Sequence, residues 1–370
     1  MKFSNRILFF LLSLILPLGL QAQRLTAHNG TVSKAYNYWF YIPSKEPQPG
    51  SVVVHEHVPD SLQYNDTATW KSMDEWADQW ELPEERPEVT GKPLVIFLHG
   101  ASLCGQNLAR VRRYGTIDAI SKGLKIDAYV LAPQNPGGAW NPSKINRIVD
   151  WAIQHHDIDS TRIYVLGMSL GGYGTIDYAA DSPQRVAAAM ALCGGGTSKT
   201  LGNLNEVPLA ILHGTGDKAV PWKASQSVVN AMLAAGDTTR LIYRLLPKQS
   251  HGALARYFYV PAVYEWLFEH SLADRNRTVN RDYSFGIEVT DNCFRKLQKP
   301  TTPLAVEGAA RDVTTSDAAE TTTTGGVYIV RQGDTLGKIA KKYHTSIAHL
   351  CKVNNINRNS TLRIGQKIRY

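Results

Sequence analysis

Residues 162–175 read Arg162-Ile163-Tyr164-Val165-Leu166-Gly167-Met168-Ser169-Leu170-Gly171-Gly172-Tyr173-Gly174-Thr175. An apolar run, Ile163 to Leu166, enters a glycine-rich turn, and a helical pattern with Ile176, Ala179 and Ala180 follows. A short apolar run ended by glycine is a buried strand. The segment is therefore strand, turn, helix, with Gly167-Met168-Ser169-Leu170-Gly171 at the turn. A serine held there sits on a sharp, strained bend, and the flanking glycines remove side chains that would collide. The Leu170 N–H opens the helix, where it donates to developing negative charge. Ser169 is the candidate nucleophile.

The same pattern repeats outward from this turn. Candidate strands are Leu94–Leu98, Ala128–Leu131, Ile163–Leu166, Val186–Leu192, Leu209–Leu212 and Arg240–Leu246. Helical patterns separate them, such as Lys144–Gln154 with Ile145, Ile148, Trp151 and Ala152 on one face. Continuous Val/Ile/Leu runs between helices indicate an α/β fold, a mostly parallel sheet with helices on both faces. Upstream, Tyr36–Ile42 and Ser51–Val58 are expected as an antiparallel start to that sheet. Residues 60–90 are acidic and contain Trp70, Trp76 and Trp80. They form either an insertion near the site or a surface helix whose tryptophans pack inward.

Three further features end strands. Phe97-Leu98-His99-Gly100-Ala101-Ser102 supplies a loop whose Ala101 N–H is the simplest second oxyanion donor. Leu212-His213-Gly214-Thr215-Gly216-Asp217 exposes Asp217 just beyond its strand, and Ser250-His251-Gly252 follows the last strand. In this arrangement His251 takes the Ser169 proton, and Asp217 fixes the imidazole tautomer and stabilises the imidazolium. Other residues compete for these roles. Asp177, Asp181 and Asp237 lie in or beside helical patterns, where a solvated role is expected. His99 and His213 each precede a glycine and are expected to hold their loops by hydrogen bonds. His55 with His57, and the pair His155-His156, are half a metal site at most, without a partner cluster in the sequence. Trp140 and Trp222 are candidate pocket walls.

Residues 93–268 resemble the esterase and "predicted peptidase" branch of the α/β hydrolases, near the phospholipase/carboxylesterase and the feruloyl or acetyl-xylan esterase groups. The resemblance is carried by Val95 to Ala101, by Arg162 to Thr175, by Cys193-Gly194-Gly195-Gly196, and by His213-Gly214 through Asp217 to Val220-Pro221. It covers about half of the chain and implies the α/β-hydrolase fold, the chain order Ser169, Asp217, His251 for the triad, and no metal or organic cofactor. The chain departs from the pattern at Ser102-Leu103-Cys104 and after His251-Gly252, which bears on substrate contacts more than on chemistry.

The flanks carry different signals. Lys2 and Arg6 precede an apolar run of 14 residues, Ile7 to Leu20, and Leu20-Gln21-Ala22 offers a cleavage point. That run is shorter than the roughly 18 residues of a membrane span. Residues 1–22 are therefore expected to be a secretory signal peptide, placing the mature protein, with residues 23–299 as its catalytic domain, outside the inner membrane, periplasmic or extracellular. Cys104, Cys193, Cys293 and Cys351 then allow three disulfide pairings, among which the sequence does not choose. Residues 300–326 are rich in Thr, Ala and Pro and read as a linker. Residues 327–370 follow: Tyr328-Ile329-Val330-Arg331-Gln332-Gly333-Asp334-Thr335-Leu336 as strand and turn, helices around Ile339-Ala340 and Ile347 with Leu350, Asn354-Asn355 closing the second, and Leu362 to Ile368 as a return strand. This β-α-α-β module resembles a LysM domain. The resemblance implies binding of N-acetylglucosamine-containing glycans, chiefly peptidoglycan or chitin, in a groove between Gly333, Asp334, Thr335 and Leu336 and the loop of Asn355, Ile356 and Asn357.

The formal net charge of +8 lies unevenly. Residues 327–370 hold nine basic residues and one acid, Asp334, whereas residues 23–326 hold 29 basic and 31 acidic residues. A nucleic-acid enzyme carries its positive charge on the catalytic body, so that class is excluded and a basic module facing an anionic wall is favoured. The sequence thus points to an exported serine hydrolase acting on an ester. The rivals are a peptidase with the same triad and a glycan-binding protein with a degenerate hydrolase body.

Overall fold

The computed structural model describes residues 23–53 except Glu46, 91–297 except Asp237, 299–300, 304–308, and 327–369 except Gln332, Gly333, His344, Ser346, Arg358, Asn359, Thr361 and Ile364. The leader, residues 54–90 with His55, His57 and the three tryptophans, and most of residues 301–326 lie outside the described residues. The chain divides into two compact units, Met1–Asp312 and Val313–Tyr370.

The first unit is built on one nine-stranded sheet. In chain order its strands are β1 (Arg24–His28), β2 (Asn37–Ile42), β3 (Lys92–Leu98), β4 (Tyr129–Gln134), β5 (Ile158–Met168), β6 (Ala188–Leu192), β7 (Leu209–Gly214), β8 (Leu241–Leu246) and β9 (Ala305–Glu307). Its helices are α1 (Thr116–Ser121), α2 (Pro142–His155), α3 (Leu170–Asp181), α4 (Lys223–Ala235), α5 (Pro261–Phe268) and α6 (Cys293–Lys296). The strands lie in the order β8-β7-β6-β5-β3-β4-β2-β1-β9. All neighbours pair in parallel except β2, which is antiparallel to both β1 and β4.

Each strand places alternate residues in two cores, one per sheet face. From β3, Leu94, Ile96 and Leu98 join Ile145 and Ile148 of α2, Ile176 of α3 and Val228 of α4 on one face. Val95 and Phe97 join Ile117 of α1 and Val263 and Trp266 of α5 on the other. The sequence of α2 explains its start: the Asn141 side chain accepts from Lys144 N–H, and Pro142 takes the first turn. Its buried Ile145, Ile148 and Val149 contribute about 1.5–3 kcal/mol each relative to exposure.

After β4 the chain returns across β3 to lay down β5, then builds outward through β8. The loops after β3 and β5 therefore face each other at the carboxyl ends of the strands, the place where open α/β sheets bind ligands. The described flanks of residues 54–90 lie at the other end. Val52 bridges to Ile126 ahead of β4, and Gly91 lies against Ile158 and Asp159 at the start of β5. The expected antiparallel strand over Ser51–Val58 is, in its described part, this single parallel bridge. Two strands were not expected. β1 adds to β2, and β9, inside the stretch read as linker, pairs in parallel with the free edge of β1. No helix among the described residues is long and apolar enough to cross a membrane.

The second unit contains β10 (Val327–Ile329), α7 (Leu336–Lys342), α8 (Ile347–Asn354) and β11 (Lys367–Arg369). β10 and β11 pair antiparallel, Tyr328 opposite Ile368. Its own small core holds Tyr328, Val330, Leu336, Ile339, Ala340, Leu350 and Ile368.

Candidate active site

Ser169 stands between β5 and α3 with φ 60° and ψ −122°, a left-handed conformation that is strained for any side-chain-bearing residue. The turn is held because its N–H donates to Leu192 O at 2.9 Å and because the glycines around it permit close approach. A Cβ on Gly171 would lie 1.8 Å from Leu98 O and 2.9 Å from His99 O; one on Gly167 would lie 2.4 Å from Gly171 O. Bare backbone at both positions lets α3 start directly over the ends of β3 and β5.

Asp217 follows β7 and His251 follows β8, and the structure brings these two together. His251 Nδ1 donates to Asp217 Oδ2 at 2.6 Å. Asp217 Oδ1 accepts from the Ala219 and Val220 N–H groups at 2.8 and 2.9 Å. Burial alone would raise the Asp217 pKa. The Val220 N–H, His251 and the Ala219 N–H outweigh it and hold the carboxyl below its ordinary value. The His251 side chain is 25% exposed, so its ring opens toward solvent, whereas the Asp217 carboxylate, expected to be exposed, is fully buried behind it. With Nδ1 engaged by Asp217, Nε2 is the ring nitrogen left for another partner. No hydrogen bond joins Ser169 Oγ to His251 among the described residues.

Two N–H groups flank the serine. Ala101 begins a one-turn 3₁₀ helix, Ala101–Leu103, and Leu170 begins α3. First-turn N–H groups have no acceptor within their own helix. A Cβ on Gly100, the residue before Ala101, would lie 3.4 Å from Ser169 Cβ, so the two loops are in contact.

The competing residues go elsewhere. Asp177 accepts from Thr197 N–H, Thr197 Oγ1 and Ser198 N–H at 2.6, 2.6 and 2.8 Å, and so clamps the loop after β6. Asp181 is an exposed residue at the end of α3, and Asp237 lies outside the described residues. His155 stacks on Trp151 at 4.5 Å, and His156 packs against Phe40 at 4.6 Å. Trp140, expected as a pocket wall, is 5% exposed. Its ring lies against Tyr36, His99 and the backbone of Gly174, so it is a packing residue. Trp222, half-buried ahead of α4, keeps the candidate role.

His213 holds its loop by hydrogen bonds, as its place before a glycine suggested, but the partners of His213 and Cys193 had no signal in the sequence. His213 is fully buried; its Nε2 lies 3.0 Å from Val220 O and 3.4 Å from Asp217 Oδ2. Its Nδ1 lies 2.6 Å from Ser225 Oγ, which reaches Gly194 O at 2.7 Å. Cys193, at φ 39°, is buried behind the acid–base pair with Sγ 4.0 Å from His251 O. Cys193 Sγ, an Asp217 oxygen and a His251 nitrogen lie within 4.8 Å of one another. They fit a metal poorly: burial first, and Asp217 second, push the thiol pKa far up, and the proton of His251 Nδ1 occupies the electron pair an ion would need. All four cysteines are free thiols.

In the second unit, Asp334 Oδ2 accepts from Tyr328 Oη at 2.7 Å and from Arg331 N–H at 2.8 Å. Thr335 is exposed, and its Oγ1 accepts from Lys338 N–H at 3.2 Å. Leu336, expected in the glycan groove, is 5% exposed and belongs to the core; a helix-opening leucine is drawn in by the apolar face it begins. Asn355 takes the left-handed conformation, φ 51°, that closes α8, and it is exposed, as is Asn357. Ile356 is half-buried, its N–H donating to Cys351 O at 3.0 Å. Gly333 lies outside the described residues.

Comparison with known proteins adds the following. The family model described as LysM domain matches residues 328–369. Among solved structures, a thermostable esterase is 27% identical, with a TM-score of 0.41, covering 51% of this chain and 57% of its own. A phospholipase/carboxylesterase from Dyadobacter fermentans is 19% identical, with a TM-score of 0.34, covering 45% and 86%. The feruloyl esterase module from Clostridium thermocellum is 13% identical, with a TM-score of 0.43, covering 70% and 92%. This chain thus spans little more than half the length of the thermostable esterase. No curated protein gives a significant match.

Proposed function

We propose that this chain, in which a body with the α/β-hydrolase fold is followed by a LysM domain, is an exported serine hydrolase. It cleaves carboxylic esters through Ser169, His251 and Asp217 and is held to peptidoglycan or another N-acetylglucosamine-containing glycan by its C-terminal module. The observation that carries this reading is the 2.6 Å hydrogen bond between His251 and Asp217, at the ends of two strands whose sheet sets Ser169 on its strained turn. A buried, triply bonded carboxylate behind a solvent-facing imidazole is the arrangement of a general base.

As an ester docks, the Ser169 hydroxyl turns onto His251 Nε2, a contact that tightens only in the substrate complex. Ser169 Oγ attacks the carbonyl carbon as its proton passes to Nε2. Asp217 keeps the Nδ1 proton in place and stabilises the imidazolium. The carbonyl oxygen becomes an oxyanion held by the Leu170 and Ala101 N–H groups. The C–O bond then breaks and His251 protonates the departing alcohol. Water, deprotonated by His251, attacks the acyl-serine and releases the acid.

The tail contributes location. Its nine basic residues against one acid favour an anionic wall, through exposed charges that salt screens. The export step rests on the leader sequence.

One experiment with two arms tests the proposal. The purified chain should hydrolyse p-nitrophenyl acetate and leave a chromogenic peptide panel intact; turnover of peptides alone rejects the esterase reading. It should also sediment with peptidoglycan at low salt, whereas the body ending at Asp312 should stay in solution yet keep the ester activity. Equal sedimentation of both would reject the tethering role.

A further inference from the structure

We infer that His99 is a positioning residue for catalysis: through its Nδ1–H it fixes the Gly100–Ala101 peptide so that the Ala101 N–H is aimed at the oxyanion. The inference rests on the role proposed above for Ser169 and goes beyond it, from a loop-holding histidine to one that sets an oxyanion donor.

The partners of the ring determine its tautomer. Asn135 N–H points at His99 Nε2 at 3.0 Å, and His99 Nδ1 lies 2.8 Å from Gly100 O. A backbone N–H only donates and a carbonyl only accepts. Nε2 is therefore the bare nitrogen and Nδ1 carries the proton. Complete burial and the edge-on contact with Trp140 at 5.0 Å fix the plane of the ring. Burial, the largest influence, and the nearby Arg110 charge outweigh the Gly100 contact and bring its pKa down to about 4, so at neutral pH the ring is uncharged.

The bonded carbonyl belongs to the peptide whose N–H is that of Ala101. In a planar trans peptide the C=O and N–H point in opposite directions, so anchoring one end aims the other. Leu103 N–H also donates to Gly100 O at 3.1 Å, and Tyr114 Oη accepts from Gly100 N–H at 2.7 Å. The flanking peptides are thus held from three sides. Donation to the carbonyl also polarises the amide and strengthens its N–H as a donor. His99 further ties this loop to the one after β4, through Asn135.

The test uses the full chain, a short p-nitrophenyl ester and three substitutions. Asparagine carries its amide N–H where Nδ1 stands, whereas glutamine reaches the Nε2 position and alanine reaches neither. His99→Ala and His99→Gln should lower kcat by about 10²–10³-fold with KM little changed, and His99→Asn should recover most of that loss. Nitrogen NMR of the wild-type imidazole, which needs no variant to fold, should report a protonated Nδ1 and a bare Nε2. An Nε2-protonated ring, an alanine variant with wild-type kcat, a loss confined to KM, or an asparagine variant as impaired as alanine each overturns the inference. If the wild type turns over no ester, the functional reading fails and this inference falls with it. If the wild type is active and His99→Ala equals it, the inference alone fails.

Discussion

Asp217 and His99 are both buried, yet their surroundings set their charges in opposite ways. Three donors keep Asp217 a carboxylate, while one donor and one acceptor keep His99 a neutral ring. These states couple to stability. Burial lowers the pKa values of His28, His99, His156 and His213 below the ordinary value of 6.5. On acidification the unfolded chain therefore takes up protons before the folded one. Their stabilising contribution is full above about pH 6.5 and is lost as pH falls toward 4. For His99, with a folded pKa of about 4, the loss amounts to about 3 kcal/mol. Asp217, whose pKa is lowered from the ordinary carboxylate value, loses its contribution only at more acid pH. Urea unfolding followed by tryptophan fluorescence should show the midpoint falling between pH 7 and 4, and less steeply in His99→Gln. A midpoint constant over that range would contradict the assignment. At this scale the sequence singled out Ser169, Asp217 and His251 as candidates, because each follows an apolar run at a glycine-rich turn, and the structure pairs the last two. It could not expose the pairing of His213 with Ser225, nor of His99 with Asn135, because those partners lie 12 and 36 residues away. Trp140 misled for a related reason: its neighbours Tyr36 and Gly174 are remote in the chain and leave its ring no open face.

The turn that carries Ser169 depends on two elements touching through bare backbone. Helix α3 begins where a Cβ on Gly171 would overlap Leu98 O at 1.8 Å. The obstacle is main chain, which no rotamer change relieves. Gly171→Ala should therefore destabilise the body by more than about 3 kcal/mol or prevent folding. Gly252→Ala, with nothing within 4 Å of the added carbon, should leave thermal unfolding nearly unchanged; equal loss in both would show that packing at α3 is not the constraint. The long apolar strands and α2 could be read from composition and spacing alone. β1 and β9 could not: five and three residues long, they exist because β2 and then β1 offer an unpaired edge, a tertiary fact. The same logic shortens the linker, since Val306 looks like an isolated apolar residue until Leu25 of β1 is placed opposite it.

For the whole molecule, charge and architecture divide alike. The first unit is a near-neutral α/β body and the second a small basic module with its own core. The sheet order explains how residues from four stretches converge: the return of the chain across β3 sets the Ala101 and Ser169 loops side by side, and the outward strands then deliver Asp217 and His251 to the same end. The central claim is acyl transfer at Ser169 with His251 as its base, and covalent capture tests it most directly. A fluorophosphonate probe mixed with the full chain, followed by peptide mass analysis, should add one label at Ser169, none in Ser169→Ala, and label His251→Ala far more slowly. Absence of labelling in the wild type, or a label on another residue that persists in Ser169→Ala, would contradict the account.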